Sequence, residues 1–181
     1  MASQSWNSTS SISLSKLRAP NCSLSPTAGL VTPRRWDLAV KARFFGHLIR
    51  GNDPDAERVY RWHIEARKAA NAKVRLGMDG KSGTDQYVAD CGRLLISMGA
   101  YGFKPEFAVP IDPDGELLGG AHRVACALAL DIPEIPVSSQ LRRAWAPSWG
   151  EAWFLENGMA AEDLERLRAD YAALAASMSG S

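Results

Sequence analysis

Residues 117–123 read Leu-Leu-Gly-Gly-Ala-His-Arg, a run whose residue types suit the holding of an anion. Paired glycines let a backbone approach a ligand closely. The N–H groups of a helical turn that follows point at that ligand, and the helix dipole favours negative charge there. Arg123 can add a charge-assisted, bidentate contact, and His122 can donate a hydrogen bond or shuttle a proton near neutral pH. Gly119, Gly120, Ala121, His122 and Arg123 thus have the makings of a phosphate cradle. The alternative is a tight turn whose glycines serve strand–helix packing.

Phosphate chemistry also needs a carboxylate to orient or deprotonate an attacking hydroxyl. Asp112, Asp114 and Glu116 stand just before the diglycine, and Asp79 and Asp85 flank a glycine-containing stretch. Each is either such a base or ordinary solvated turn chemistry. Arg58, Arg61 and His63 lie close together in sequence and can bind an anionic sugar or phosphate acceptor, unless they form a solvated helix face. Cys126 falls within the apolar run Val124–Leu130 and reads as a buried, inert thiol. His122 and Cys126 at i, i+4 give two metal ligands without a third, so no protein metal site is expected.

The elements that must position these residues follow from periodicity. Trp36, Val40, Phe44, Leu48 and Ile49 recur at helical spacing over 37–50, and Gly51 stands where a left-handed C-terminal residue belongs. Asn52-Asp53-Pro54 starts a second helix, expected to run to about residue 70. Gly77, Gly80 and Gly83 mark a loop over 73–84, and Thr84 can cap a third helix ending at Gly99 or Gly102. A strand at 107–111, the turn Asp112-Pro113-Asp114-Gly115 and the return Glu116-Leu117-Leu118 make a β-hairpin. A helix over 124–130 and a short strand at 135–137 complete the centre. Trp145, Trp149 and Trp153 at four-residue steps read as core or helix-docking surface rather than a ligand platform, and a last helix is expected over 160–178.

Composition bounds the class. The chain has 181 residues, with 21 Lys and Arg against 20 Asp and Glu, far from the basic balance of a dedicated nucleic-acid binder. Charge is nonetheless uneven: residues 34–75 carry eleven basic and five acidic side chains, residues 106–170 five and twelve. No apolar run approaches a membrane span. Three cysteines without CxxC spacing point to neither a disulfide framework nor a zinc site, so a cytoplasmic setting is expected. Residues 1–33 hold nine Ser and no acid. They are expected to be a disordered tail, with a composition that also fits a transit segment. The expected layout is this tail, a domain over 34–140 and a helical C-terminal extension over 141–181.

The stretch from Leu94 to Val137 resembles the core of the ParB/sulfiredoxin superfamily. The resemblance rests on Ser97-Met98, Gly102, Lys104-Pro105, Val109-Pro110-Ile111, Asp114-Gly115, Gly119-Gly120-Ala121-His122-Arg123 and Ile135-Pro136-Val137. It implies an α+β fold, a small mixed sheet with helices, preceded by an N-terminal helical pair. It also implies a helix N-terminus that holds nucleotide phosphates. The Gly-Gly-X-His-Arg form is especially similar to sulfiredoxin, where X is the reactive cysteine. Here X is Ala121, which excludes sulfinic acid reduction through a thiol at this place.

What the resemblance implies instead is binding of a nucleotide (ATP, ADP or CTP) with Mg2+, and a kinase acting on a small hydroxyl-bearing metabolite or sugar. His122, Asp114 and Glu116 are the catalytic candidates. The segments 36–41 and 53–58 add a resemblance to ParB-like proteins associated with bacterial surface polysaccharide synthesis. Relatives often carry Asp where this chain has Gly119. The rival reading is therefore a non-catalytic, nucleotide-sensing or DNA-binding regulator of the partition type.

Overall fold

The computed structural model describes residues 22–73, 83–141 and 148–177. The glycine loop with Asp79, Trp145 and residues 1–21 lie outside them. Six α-helices surround a three-stranded mixed sheet in an α+β arrangement.

Helix α1, Asp37–Arg50, ends on Gly51 in the left-handed region (φ 66°), which a residue without Cβ adopts at little cost. Buried on nearly every side along its first turns, it packs against the second, fourth and sixth helices and is the centre of the molecule. Helix α2, Pro54–Lys73, has proline at its first position, and the Asp53 carboxylate accepts the Asp55 N–H there. Helix α3, Thr84–Tyr101, stops at Gly102. Thr84 does not cap it: the extended residue is Gly83, and the buried Thr84 hydroxyl finds no hydrogen-bond partner.

Strand β2, Val109–Ile111, leads through the 112–120 turn into α4, Ala121–Ala129, and then into β3, Glu134–Ser139, which runs parallel to β2. The expected hairpin shrinks to one antiparallel bridge, Ile111 to Leu117. The return arm turns away after Leu118 to enter α4. That helix begins a turn earlier than the apolar run implies, so His122 and Arg123 belong to it. It closes through Asp131, which takes the left-handed conformation (φ 53°) in which Ile132 N–H reaches Ala127 O at 3.0 Å.

Two expectations change. Residues 22–33 are not a structureless tail: β1, Cys22–Pro26, pairs antiparallel with β3, Thr27 Oγ1 donates to Ile132 O at 2.6 Å, and Leu30 and Val31 are buried. Strand pairing supplies order here that side-chain periodicity does not announce. The C-terminal helices α5, Glu151–Glu156, and α6, Ala161–Ala176, are part of the same core. They contribute Trp153, Phe154, Leu164 and Leu167 alongside Phe44, Tyr60, Val124 and Ile135. Trp149 exchanges backbone hydrogen bonds with the segment before α1, donating to Arg34 O and accepting from Trp36 N–H. No helix among the described residues is long and apolar enough to cross a membrane.

Candidate functional site

The return arm runs antiparallel to β2, with Leu117 bridged to Ile111 and Leu118 N–H donating to Pro110 O, so the diglycine turn lies back beside the amino end of β2. Gly120 is left-handed (φ 78°) and its carbonyl accepts from Arg123 and Val124 N–H at 2.9 and 3.1 Å. The N–H groups of Gly119, Gly120 and Ala121 donate to nothing among the described residues. Three consecutive half-exposed amides at the start of a nine-residue helix form an anion-binding concavity.

Arg123 completes it. Its guanidinium folds back across Gly120, so closely that a Cβ at residue 120 would lie 2.8 Å from Nη2. Glycine is favoured there by its left-handed φ, and its missing Cβ leaves room for the arginine above it. Nη1 donates to Phe107 O and Ala108 O, and no carboxylate among the described residues pairs with the charge. Burial lowers the Arg123 pKa from its usual value, which still leaves it cationic. Beside it, a 220 Å³ cavity is lined by Leu94, Met98, Phe103, Lys104, Phe107 and Arg123. It is a largely apolar slot that shares Arg123 with the cradle.

His122 turns inward. Its Nε2 lies 2.9 Å from Tyr60 Oη, which also meets Cys91 Sγ at 3.2 Å and is fully buried, with its ring stacked on Phe44. The Tyr87 ring lies 6.2 Å from His122 and accepts Arg67 above it. His122 is thereby held in one orientation beside the cradle.

The candidate carboxylates separate by role. Asp112 is buried and its Oδ1 accepts the N–H groups of Asp114 and Glu116, both at 2.9 Å, so it builds the turn. Asp114 is exposed at the tip. Glu116 accepts from Thr32 Oγ1 at 3.1 Å and stands three residues before Gly119, within about 10 Å of chain reach.

Arg58, Arg61 and His63 do not form one surface. Arg58 makes a bidentate pair with Asp163 at 2.8 and 2.9 Å, and Arg61 pairs with Glu57 and Asp85. Both arginines sit on the outer side of α2. At about 100° per residue, His63 falls on nearly the opposite side from Arg61. It is fully buried between Phe154, Trp153 and Trp149. Trp149 and Trp153 therefore dock helices, while Trp145 lies outside the described residues. Cys126 is likewise buried, with its thiol pushed up to about 12. Among the described residues no three His, Cys, Asp or Glu side chains converge as metal ligands.

His63 instead belongs to a polar cluster that the sequence reading missed. Arg35 holds Asp37 through two hydrogen bonds of 2.8 and 2.9 Å. Lys41 Nζ donates to Asp37 Oδ2 at 2.5 Å and lies 3.3 Å from His63 Nε2, and all four residues are buried. Arg35 also reaches Leu117 O at 3.4 Å, tying the cluster to the chain entering the cradle. Asp37 is held far below the ordinary carboxylate range against its own desolvation by Arg35 and Lys41. Desolvation lowers Lys41 to about 8 and His63 well below its usual value. The signal available was Asp37 and Lys41 at i, i+4 inside the apolar frame of Trp36, Leu38, Val40 and Phe44.

Comparisons with models of protein families, with curated proteins and with solved structures find no match to this chain.

Proposed function

We propose that this protein binds nucleotide phosphates at the N-terminus of α4, as a ParB/sulfiredoxin-like domain, and transfers a phosphoryl group to a small hydroxyl-bearing metabolite or sugar. The single observation that carries the reading is the set of open amides of Gly119, Gly120 and Ala121 under an arginine that has no carboxylate partner among the described residues. Free amides at a helix N-terminus, with the helix dipole behind them, suit an anion. The apolar slot that Arg123 lines supports a nucleoside rather than bare phosphate, since it offers Phe103 and Phe107 beside that arginine.

In the reaction, the acceptor hydroxyl oxygen attacks the terminal phosphorus of ATP, ADP or CTP. A new P–O bond forms, the bond to the leaving nucleotide breaks, and the proton passes to a carboxylate. Glu116 is the better placed base, because Asp112 is used by the turn and Asp114 sits at its tip. Arg123 and the amides stabilise charge on the phosphoryl oxygens, which is the larger part of such catalysis. With no described three-ligand cluster, Mg2+ would enter on the nucleotide's own phosphates. The resemblance of residues 36–41 and 53–58 to polysaccharide-associated proteins favours a sugar acceptor.

The test is a melting-temperature panel of ATP, ADP, CTP and GTP with Mg2+, followed by turnover assays with polyols, amino acids and sugars. Binding to the native state raises the melting point by mass action. A rise lost in Arg123→Ala supports the cradle, and turnover lost in Glu116→Gln supports phosphotransfer. Binding without turnover returns the reading to the nucleotide-sensing regulator, whose DNA affinity would fall steeply with salt. Absence of any nucleotide-dependent rise removes both.

A further inference from the structure

His122 turns from the cradle into the molecule, and what it meets there decides where its proton sits. Its Nε2, on α4, lies 2.9 Å from Tyr60 Oη on α2, a hydroxyl that also stands 3.2 Å from Cys91 Sγ on α3. Tyr60 is fully buried and its ring is stacked on Phe44 at 4.3 Å, so the hydroxyl is closed to bulk water. Burial raises the phenol pKa well above its ordinary value, and the proton stays on.

That single proton has two neighbours to go to. An imidazole nitrogen is a good acceptor, whereas a thiol is weak both as donor and as acceptor. The favoured chain therefore runs from Cys91 S–H to Tyr60 Oη, and from Tyr60 O–H to His122 Nε2. The reverse chain spends the phenol proton on sulfur. A neutral imidazole that accepts at Nε2 must carry its own proton on Nδ1. Nδ1 is bonded to the ring carbon next to Cβ, so it lies beside the first turn of α4, where His122 follows the open amides of Gly119, Gly120 and Ala121. Two surroundings disfavour the imidazolium. One is the N-terminal end of α4, whose dipole opposes positive charge. The other is the charge of Arg67, which donates to Tyr87 Oη at 2.9 Å, while the Tyr87 ring lies 6.2 Å from that of His122.

We propose that Tyr60 is a positioning residue for the cradle: its hydroxyl proton, given to His122 Nε2, holds His122 as the neutral Nδ1–H tautomer and makes it a hydrogen-bond donor to a phosphoryl oxygen rather than a base. The donor's target rests on the nucleotide reading; the tautomer does not. His122 is thereby withdrawn as acceptor of the hydroxyl proton, which leaves that task to Glu116.

Nitrogen-15 NMR of the imidazole rings of the full chain reads the tautomer directly, at about pH 8.5, roughly two units above the ordinary histidine pKa. Wild type should show His122 with Nδ1 protonated and Nε2 bare. Tyr60→Phe keeps the stacked ring and should let the proton move to Nε2. Cys91→Ala leaves the phenol proton its imidazole acceptor and should keep the Nδ1–H form. Calorimetric titration with ATP, ADP and CTP, each with Mg2+, supplies the second readout. Affinity should fall about tenfold in Tyr60→Phe, as for loss of one hydrogen bond to a charged group, and stay unchanged in Cys91→Ala. The proposal is overturned by an Nε2–H tautomer in wild type, by a tautomer that Tyr60→Phe leaves unmoved, or by nucleotide affinity that survives Tyr60→Phe within roughly twofold. Should Tyr60→Phe fail to melt cooperatively, the wild-type tautomer decides alone. An Nδ1–H tautomer that Tyr60→Phe releases, in a chain that binds none of the three nucleotides, removes the nucleotide reading and the donor's target while upholding Tyr60's hold on His122.

Discussion

The molecule treats its charges in two opposite ways. Around Asp37 they close on one another: Arg35 and Lys41 share the carboxylate, His63 meets Lys41, and the group is sealed under Trp149, Trp153 and Phe154. At the start of α4 they stay open: Arg123 touches only carbonyl oxygens, and three amides have no acceptor. A cluster whose charges are paired, here with only His63 Nδ1 lacking a partner among the described residues, fixes the position of helices, because any change strands a charge in the interior. A cluster with unmet donors on a half-exposed turn holds electrostatic capacity for a guest. Leu117 links the two, accepting from Arg35 on one side and leading into Gly119 on the other.

The sharpest break in this contrast comes from Asp37→Ala. It leaves Arg35 and Lys41 buried without their counter-ion and should cost about 3–5 kcal/mol in urea unfolding. Lys41→Met should cost far less, because Asp37 keeps Arg35 and the methionine fills similar space. Arg123→Ala inverts the pattern. Nucleotide affinity should fall roughly 100-fold, as expected for charge-assisted contacts, while stability changes by less than about 1 kcal/mol.

The pH dependence separates the regions further. Lys41 titrates at about 8 when folded against 10.5 when unfolded, so between these values the unfolded chain binds more protons and stability rises with pH. The contribution is complete above 10.5 and lost as pH falls through 8. Denaturant midpoints of Lys41→Met should lack that rise relative to wild type. Tyr60→Phe, which removes the hydroxyl between Cys91 and His122, should cost about 1 kcal/mol. Asp131→Gly, which relieves a left-handed aspartate, should stabilise the fold by about 0.5–1 kcal/mol as read by thermal melting.

Legibility in the sequence followed the kind of force at work. Helix α1 and its glycine stop were readable because one apolar stripe and one conformational requirement coincide at Gly51. The cradle was readable because its function depends on local residue types, Gly-Gly before His-Arg. Strand β1 was not: its five residues alternate Cys22, Leu24 and Pro26 with serines inside a serine-rich stretch, Leu24 stays exposed, and its order comes from backbone pairing with β3, a non-local partner. The Arg35–Asp37–Lys41–His63 cluster was hidden for a related reason. Charges in a sequence look like a solvated face until the elements that cover them are known, and here the covering residues come from Trp149, Trp153 and Phe154, almost ninety residues further along. His63 was grouped with Arg58 and Arg61 by proximity in the chain, although helical geometry already sets it on the other side of α2.

The most direct measurement is an amide-detected NMR titration of the isotope-labelled chain with Mg2+ and ATP or ADP. The Gly119, Gly120 and Ala121 N–H resonances should shift saturably, together with Arg123 Nε–H, and Arg123→Ala should abolish the response. Saturable nucleotide binding that leaves those three amides unmoved would contradict the phosphate cradle.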